Sequence, residues 1–264
     1  MMQPDLQVLM AEIRQIAQEE ILPRFARVGY EVKHDGSLLT EADLATDRRI
    51  REFLQRAWPQ IAFLSEEMER HEQERLLRES DSLWCLDPLD GTSNFAAGLP
   101  LFAISLALFQ QGEVVLALTY DPIRDEMFSA QQGQGAWLNG KPLQCQKSGF
   151  PLCNAVAMVD FKRLPARLKC ALMENSPYGS QRNLGSCVLE WAWMAANRGH
   201  LYLHGGMKLW DLAAGTLILA EAGGYACTLD GEAVFKPAME PRSVVISPDK
   251  ALFDAWFHYL QANR

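Results

Sequence analysis

Asp87-Pro88-Leu89-Asp90-Gly91-Thr92-Ser93-Asn94-Phe95 follows directly on the apolar run Leu83-Trp84-Cys85-Leu86. The run has the length and composition of a buried strand. Two carboxylates, Asp87 and Asp90, then fall within four residues at its end. Pro88 stiffens the link between them because its ring fixes φ. Gly91-Thr92 suits a chain that turns sharply and offers backbone N–H groups to an anion. Clustered carboxylates repel one another unless a positive charge sits among them. Mg²⁺, which takes a few carboxylates together with substrate phosphate oxygens, answers that need. The stretch therefore points to metal-assisted phosphate chemistry.

The surrounding composition agrees with an enzyme of small molecules. The chain has 264 residues, 48% hydrophobic and 22% charged, which is enough for a sizeable core. Its net charge is −8 and no Lys/Arg run stands out, so non-specific nucleic-acid binding is not expected. A phosphorylated substrate is compatible with that charge, because bound Mg²⁺ inverts the local field. No basic segment followed by an apolar core opens the chain, and the longest apolar stretch, Leu99 to Phe109, is too short to span a bilayer as a helix. The six cysteines are scattered without a C-x-x-C pair and read as reduced, mostly core-filling thiols of a cytoplasmic protein.

Outward from the aspartates, strands and helices alternate. Leu6, Leu9, Met10, Ile13, Ile16, Ala17 and Ile21 predict an amphipathic helix ending near Pro23. Residues 33–39 read as a turn. Thr40-Glu41-Ala42-Asp43 resembles a capping arrangement that opens a second helix, with Leu44, Ile50, Phe53 and Leu54 on its buried face. Ile61 to Leu64 predicts a strand, and Glu69 to Arg78 a solvated helix or loop. Ala103–Phe109 and Val114–Thr119 predict a hairpin, as does Asn139-Gly140 further on. Gly133 and Gly135 belong to a hairpin rather than to a nucleotide fingerprint. The second half predicts a helix from Ser186 to Asn197, with Trp191 and Trp193 facing different neighbours. A strand follows around His200–Leu203, then a helix from Leu212 to Ala222 stopped by Gly223-Gly224, a strand at Val244–Ile246 and a final helix from Ala251 to Ala262. This alternation gives a layered α/β fold with mixed sheets.

Four blocks resemble the inositol monophosphatase family of Mg²⁺-dependent, Li⁺-sensitive phosphatases. They are Leu39-Thr40-Glu41-Ala42-Asp43, then Phe63-Leu64-Ser65-Glu66-Glu67, then the quoted central stretch, and last Trp210-Asp211-Leu212-Ala213-Ala214-Gly215 continuing to Gly224. The resemblance implies a five-layer α/β/α/β/α sandwich of the kind shared with fructose-1,6-bisphosphatase. It implies a single domain over 1–264, with a metal- and phosphate-binding half (1–148) and a substrate-lining half (149–264) that carries the last metal ligand. By the same resemblance, Glu66, Asp87, Asp90, Asp211 and the Leu89 carbonyl hold two or three Mg²⁺. Gly91 and Thr92 bind phosphate through backbone N–H groups. Thr92, hydrogen-bonded to Asp43, orients the attacking water together with Glu66.

The implied activity is hydrolysis of a small sugar, polyol or nucleotide phosphate monoester by a cytoplasmic homodimer that engages neither nucleic acid nor membrane. Other phosphatases of the superfamily and a non-catalytic regulatory role are the alternatives. Glu66, Asp90, Gly91, Thr92 and Asp211 also face the substrate, with Gly185, Ser186 and Cys187 on a lining turn. Inositol phosphatases of the family place a sugar-binding glutamate seven residues before the last metal aspartate, and here that position is His204. An imidazole cannot replace a carboxylate that accepts two hydroxyl hydrogen bonds. The Asp87-to-Asp90 spacing, with proline between, also differs from the D-x-D of phosphatases that form an aspartyl phosphate, so direct attack by water is favoured.

Overall fold

The structure is a computed structural model, and it describes residues 4–27, 29–33 and 38–264. The expected turn at 33–39 falls mostly on 34–37, outside the described residues. Helix α1 (Leu6–Ile16) starts where Asp5 Oδ1 accepts the Gln7 N–H at 2.8 Å. Leu9, Ile13 and Ile16 form its buried stripe, and one wider turn (Ala17–Ile21) and a 3₁₀ turn (Leu22–Arg24) carry the chain past Pro23. Strands β1 (Tyr30–Val32) and β2 (Leu38–Thr40) pair antiparallel. Helix α2 (Glu41–Ala57) follows behind a capping box, in which Asp43 Oδ2 accepts the Thr40 N–H at 2.8 Å.

A seven-stranded sheet comes next, in the order β3 (Ala62–Ser65), β4 (Ser82–Asp90), β5 (Ala103–Gln110), β6 (Glu113–Asp121), β7 (Glu126–Gln131), β8 (Gly135–Leu138), β9 (Lys141–Leu143). Only β3 and β4 run parallel; the other pairs are antiparallel. Helix α3 (Arg70–Glu79) links β3 to β4 and carries Arg–Glu pairs on its exposed face, as at Arg75–Glu72 and Arg70–Glu74. Asn139 and Gly140 both have positive φ, as the tight turn between β8 and β9 requires.

The rest of the chain builds a five-stranded sheet around β10 (Val156–Asp160). After helix α5 (Ala166–Glu174) come β11 (Ser180–Arg182), helix α6 (Cys187–Ala195), β12 (Leu201–Met207), helix α7 (Leu209–Glu221), β13 (Tyr225–Cys227), β14 (Arg242–Ser247) and helix α8 (Lys250–Asn263). The sheet order is β11-β10-β12-β14-β13, parallel around β10 and antiparallel around β14.

Period-two alternation explains the layers. Trp84 and Leu86 face a core with α1 and α2, whereas Leu83 and Cys85 face α6 and α7. Met158, Tyr202, Val244 and Ile246 meet those same two helices from the other side. Their neighbours Val159, Leu201, Leu203 and Val245 face α5 and α8 instead. Among the described residues, three large cores and a small cluster of Ala103, Val188 and Leu189 thus hold five layers: helices, large sheet, helices, small sheet, helices. The middle pair approaches closely at Gly215, where a Cβ would fall 2.4 Å from Trp191 Cγ.

Two expectations are corrected. Leu44 is 51% exposed. It lies six residues before Ile50, which at 100° per residue places it well off the stripe formed by Ala42, Ala45, Ile50, Phe53 and Leu54. The cysteines are free, and Cys85, Cys145, Cys187 and Cys227 pack in or against the cores as expected, but Cys153, in a 3₁₀ turn, and Cys170, on α5, are exposed. Trp191 and Trp193 do face different neighbours: Trp191 is buried against α7, and Trp193 lies between the guanidinium groups of Arg124 (5.1 Å) and Arg198 (5.4 Å).

Candidate active site

The site forms where β4 leaves the ladder. Pro88 has no N–H to donate, and the register between β4 and β5 shifts between Asp87 and Asp90. The irregularity brings carboxylate oxygens of Asp87, Asp90 and, from the N-terminus of α7, Asp211 within 4.8 Å of one another. They line a cleft of about 180 Å³ with Leu38, Glu66, Leu89, Gly91, Thr92, Ser93, Arg163, Gly185, Cys187 and Lys208.

Each acid is held from behind. Asp87 Oδ1 accepts the Leu89 N–H at 3.1 Å. Asp90 Oδ2 accepts from Ser186 Oγ at 2.6 Å and from the Val188 N–H at 2.9 Å. Asp211 Oδ2 accepts the Lys208 N–H at 2.9 Å, which caps α7. Glu66 is at the end of β3, its carbonyl near Gln73 Nε2 (3.5 Å), and Gln73 also donates to the Ser65 carbonyl at 2.7 Å. Glu66 Oε1 lies 3.5 Å from Lys33 Nζ and 3.4 Å from Lys208 Nζ.

Burial and crowding set the electrostatics. Burial pushes the Asp87 carboxyl well above the usual range, and repulsion from Glu66, Asp90 and Asp211 adds to it. Burial raises Asp90 to about 6 and Asp211 to about 8, again reinforced by acidic neighbours. At an effective dielectric of 20, two carboxylates about 5 Å apart repel by about 3 kcal/mol. An arrangement of oxygen donors this close fits a hard divalent ion. The Leu89 carbonyl and Glu66 border the same space.

Beside the acids, Gly91 (φ +91°) starts the short helix α4 (Thr92–Ala97). A Cβ there would fall 2.7 Å from the Leu101 carbonyl oxygen, so glycine is required twice over. Thr92 Oγ1 is 3.0 Å from the Leu89 carbonyl and 3.1 Å from Asp43 Oδ1. A hydroxyl has one proton, so donating to either acceptor leaves its lone pairs open toward the cleft. Asp43 is buried, and that burial raises its pKa.

The turn at 183–186 closes the opposite wall. Gly185 and Cys187 line the cleft, whereas Ser186 is fully buried with its hydroxyl turned to Asp90. Burial raises the Cys187 thiol well above its ordinary value. His204 is not brought to the cleft: it is 4% exposed, its Nδ1 accepts the Gly206 N–H at 3.1 Å, and its Nε2 faces Asp160 Oδ2 at 3.8 Å. Burial lowers its pKa to about 4.

Several supporting residues were not apparent from the chain alone. Asn94 Nδ2 donates to the carbonyls of both Leu101 and Leu184 at 2.7 Å, tying the two halves together. Glu190, 2% exposed, accepts the Leu184 N–H at 2.8 Å. Lys33 Nζ is 2.7 Å from Glu67 Oε1. Asn94 stood inside the quoted central stretch; Glu190, a lone acid in an apolar helix, was the other available signal.

Comparison with known proteins places these features. The model of the inositol monophosphatase family matches residues 1–263. The Nus factor SuhB of Pasteurella multocida is 35% identical over 205 residues, covering 76% of this chain and 75% of that protein. The inositol-1-monophosphatase of Mesorhizobium japonicum is 35% identical over 208 residues, with 76% and 75% covered. A solved structure of an IMPase/NADP phosphatase complexed with Mg²⁺ and phosphate superposes with a TM-score of 0.82 at 25% identity, covering 98% of this chain and 94% of the other.

Proposed function

We propose, from the premise that this chain belongs to the inositol monophosphatase family, that it is a Mg²⁺-dependent phosphomonoesterase acting on a small phosphorylated metabolite. The observation that carries the reading is the convergence of Asp87, Asp90 and Asp211 from two distant parts of the chain onto one point of the cleft. Asp87, Asp90, Asp211, Glu66 and the Leu89 carbonyl would hold two or three Mg²⁺. When bound, the ions supply neutralisation of the phosphate charge and acidification of a coordinated water.

The chain's own groups do the positioning. Gly91 and Thr92 line the cleft beside the acids, and their backbone N–H groups would hold phosphate oxygens. Asp43 fixes the Thr92 hydroxyl, which orients a water for in-line attack. Ser186 and the Val188 N–H keep Asp90 in one rotamer, so the acids meet their load without rearrangement. No candidate nucleophile is needed, and the high pKa of Cys187 argues against that thiol.

In this reading the two sheets and their helices work as one domain, as a cytoplasmic homodimer sensitive to Li⁺. Among the described residues, no helix is long and apolar enough to cross a membrane. The test is phosphate release from a panel of sugar, polyol and nucleotide monoesters with Mg²⁺, repeated with EDTA and with Li⁺. Mg²⁺-dependent release that Li⁺ inhibits supports the assignment; absence of turnover across the panel refutes it. A second reading, a regulatory protein on the same scaffold, is favoured by the Nus factor name of relatives at 35% identity. Cation binding without turnover would support that reading.

A further inference from the structure

Among the described residues, Arg163 stands at this acidic cleft without a carboxylate of its own. It follows β10 in the loop to α5, and β12 presses against it. A Cβ on Gly205 would fall 2.2 Å from the Arg163 carbonyl oxygen, and one on Gly206 would fall 3.3 Å from Arg163 Cδ. The glycine pair therefore makes room for the arginine's backbone and stem. Its Nη1 donates to the Gly206 carbonyl at 2.5 Å, which anchors one edge of the guanidinium. Among the described residues Arg163 forms no ion pair. A guanidinium carries five N–H donors in a planar fork, so donors remain beyond the Gly206 bond, and Arg163 lines this cleft as well as a neighbouring one that contains Asp230 and Glu232.

The neighbouring charges are engaged elsewhere. Lys208, the other cation lining the cleft, lies 3.4 Å from Glu66 and over the Trp210 ring. Asp160 accepts the Lys162 N–H at 2.6 Å through Oδ1 and faces His204 through Oδ2. Among the described residues no carboxylate pairs with Arg163, and His204 is turned inward. That wall offers a donor fork shaped for an oxyanion.

We propose that Arg163 selects phosphate monoesters whose alcohol portion carries a second anionic group, a carboxylate or another phosphate. The inference rests on the phosphomonoesterase reading of the same cleft and adds the substrate class. It is tested with three six-carbon monoesters whose far end is neutral, a carboxylate or a phosphate: fructose 6-phosphate, 6-phosphogluconate and fructose 1,6-bisphosphate. With Mg²⁺ present, kcat/KM for at least one dianionic substrate is expected to exceed that for the neutral one by about 10- to 100-fold, the worth of one charge-assisted pair. Which of the two is preferred identifies the second anion. Arg163→Gln should collapse that ratio, chiefly through KM, and Arg163→Lys should restore part of it. Lys162→Gln, at the exposed neighbour, should leave the ratio unchanged. Turnover without such a preference, or a preference that survives Arg163→Gln, overturns the inference and leaves the phosphomonoesterase reading standing. Failure to turn over any monoester overturns both.

Discussion

The Thr92 hydroxyl lies 3.1 Å from Asp43, a residue 49 positions earlier that also caps α2. One carboxylate thus joins helix nucleation to the orientation of a hydroxyl at the cleft: Oδ2 serves the cap at Thr40 and Oδ1 faces Thr92.

Removing the hydroxyl tests that link. Thr92→Ala is expected to lower kcat by about 100- to 10,000-fold with little change in melting temperature, the usual scale for a lost positioning or proton-transfer group. Asp43→Ala should lower kcat similarly and also cost about 1 kcal/mol of stability through the lost cap. Steady-state kinetics and thermal melts, run together, separate the two effects.

Ser186→Ala removes the 2.6 Å hydrogen bond to Asp90. Loss of such an outer support typically weakens a metal site by about 10- to 100-fold. Half-saturation by Mg²⁺ should rise accordingly, with activity recovering at high Mg²⁺. A Mg²⁺ titration of activity reads this directly, and an unchanged midpoint would remove Ser186 from its supporting role.

Mg²⁺ should raise the melting temperature of the wild-type protein, and EDTA should reverse the rise, because a cation relieves the repulsion among Asp87, Asp90 and Asp211. Asp211→Asn should abolish the Mg²⁺ response. In EDTA the same variant should melt no lower than wild type, since it removes an acid whose ionisation burial and its acidic neighbours oppose.

Glu190 predicts a pH dependence outside the aspartate cluster. Burial raises its carboxyl to about 7, against lowering by the Leu184 N–H. With a raised folded pKa, the folded state binds more protons than the unfolded state between the ordinary carboxylate range and about 7. The contribution to stability is therefore complete at low pH and is lost as pH rises through about 7. Glu190→Gln, which keeps an acceptor for Leu184, should be about 1–3 kcal/mol more stable than wild type at pH 8 and close to it at pH 5. Denaturant melts at the two pH values provide the comparison.

Gly91→Ala should cost about 2–3 kcal/mol and most of the activity, since the position combines φ +91° with a 2.7 Å approach to the Leu101 carbonyl. A normal melt with normal turnover would show that this turn tolerates rearrangement.

The layered fold was legible in the chain because burial on a strand or helix face leaves a period. The apolar runs at 83–86 and 103–109 became β4 and β5, and the turn at Asn139-Gly140 became the β8–β9 hairpin. The reading failed where a residue's chemistry and its angular position disagree. Leu44 is apolar yet sits off the stripe, and Cys153 and Cys170 are exposed although thiols commonly bury.

By itself, the sequence determined which residues could bind a cation and a phosphate: Asp87-Pro88-Leu89-Asp90-Gly91-Thr92 carries its own turn chemistry, and local chemistry is written locally. The family resemblance had grouped Asp211 with Asp87 and Asp90, and the folded chain brings their oxygens within 4.8 Å; that Ser186 faces Asp90 rather than the cleft, that His204 turns inward and that Arg163 lines the wall came from the tertiary structure alone. Those outcomes depend on sheet register and helix packing between segments far apart in the chain, where one residue's shift along a strand reverses the face on which a side chain appears.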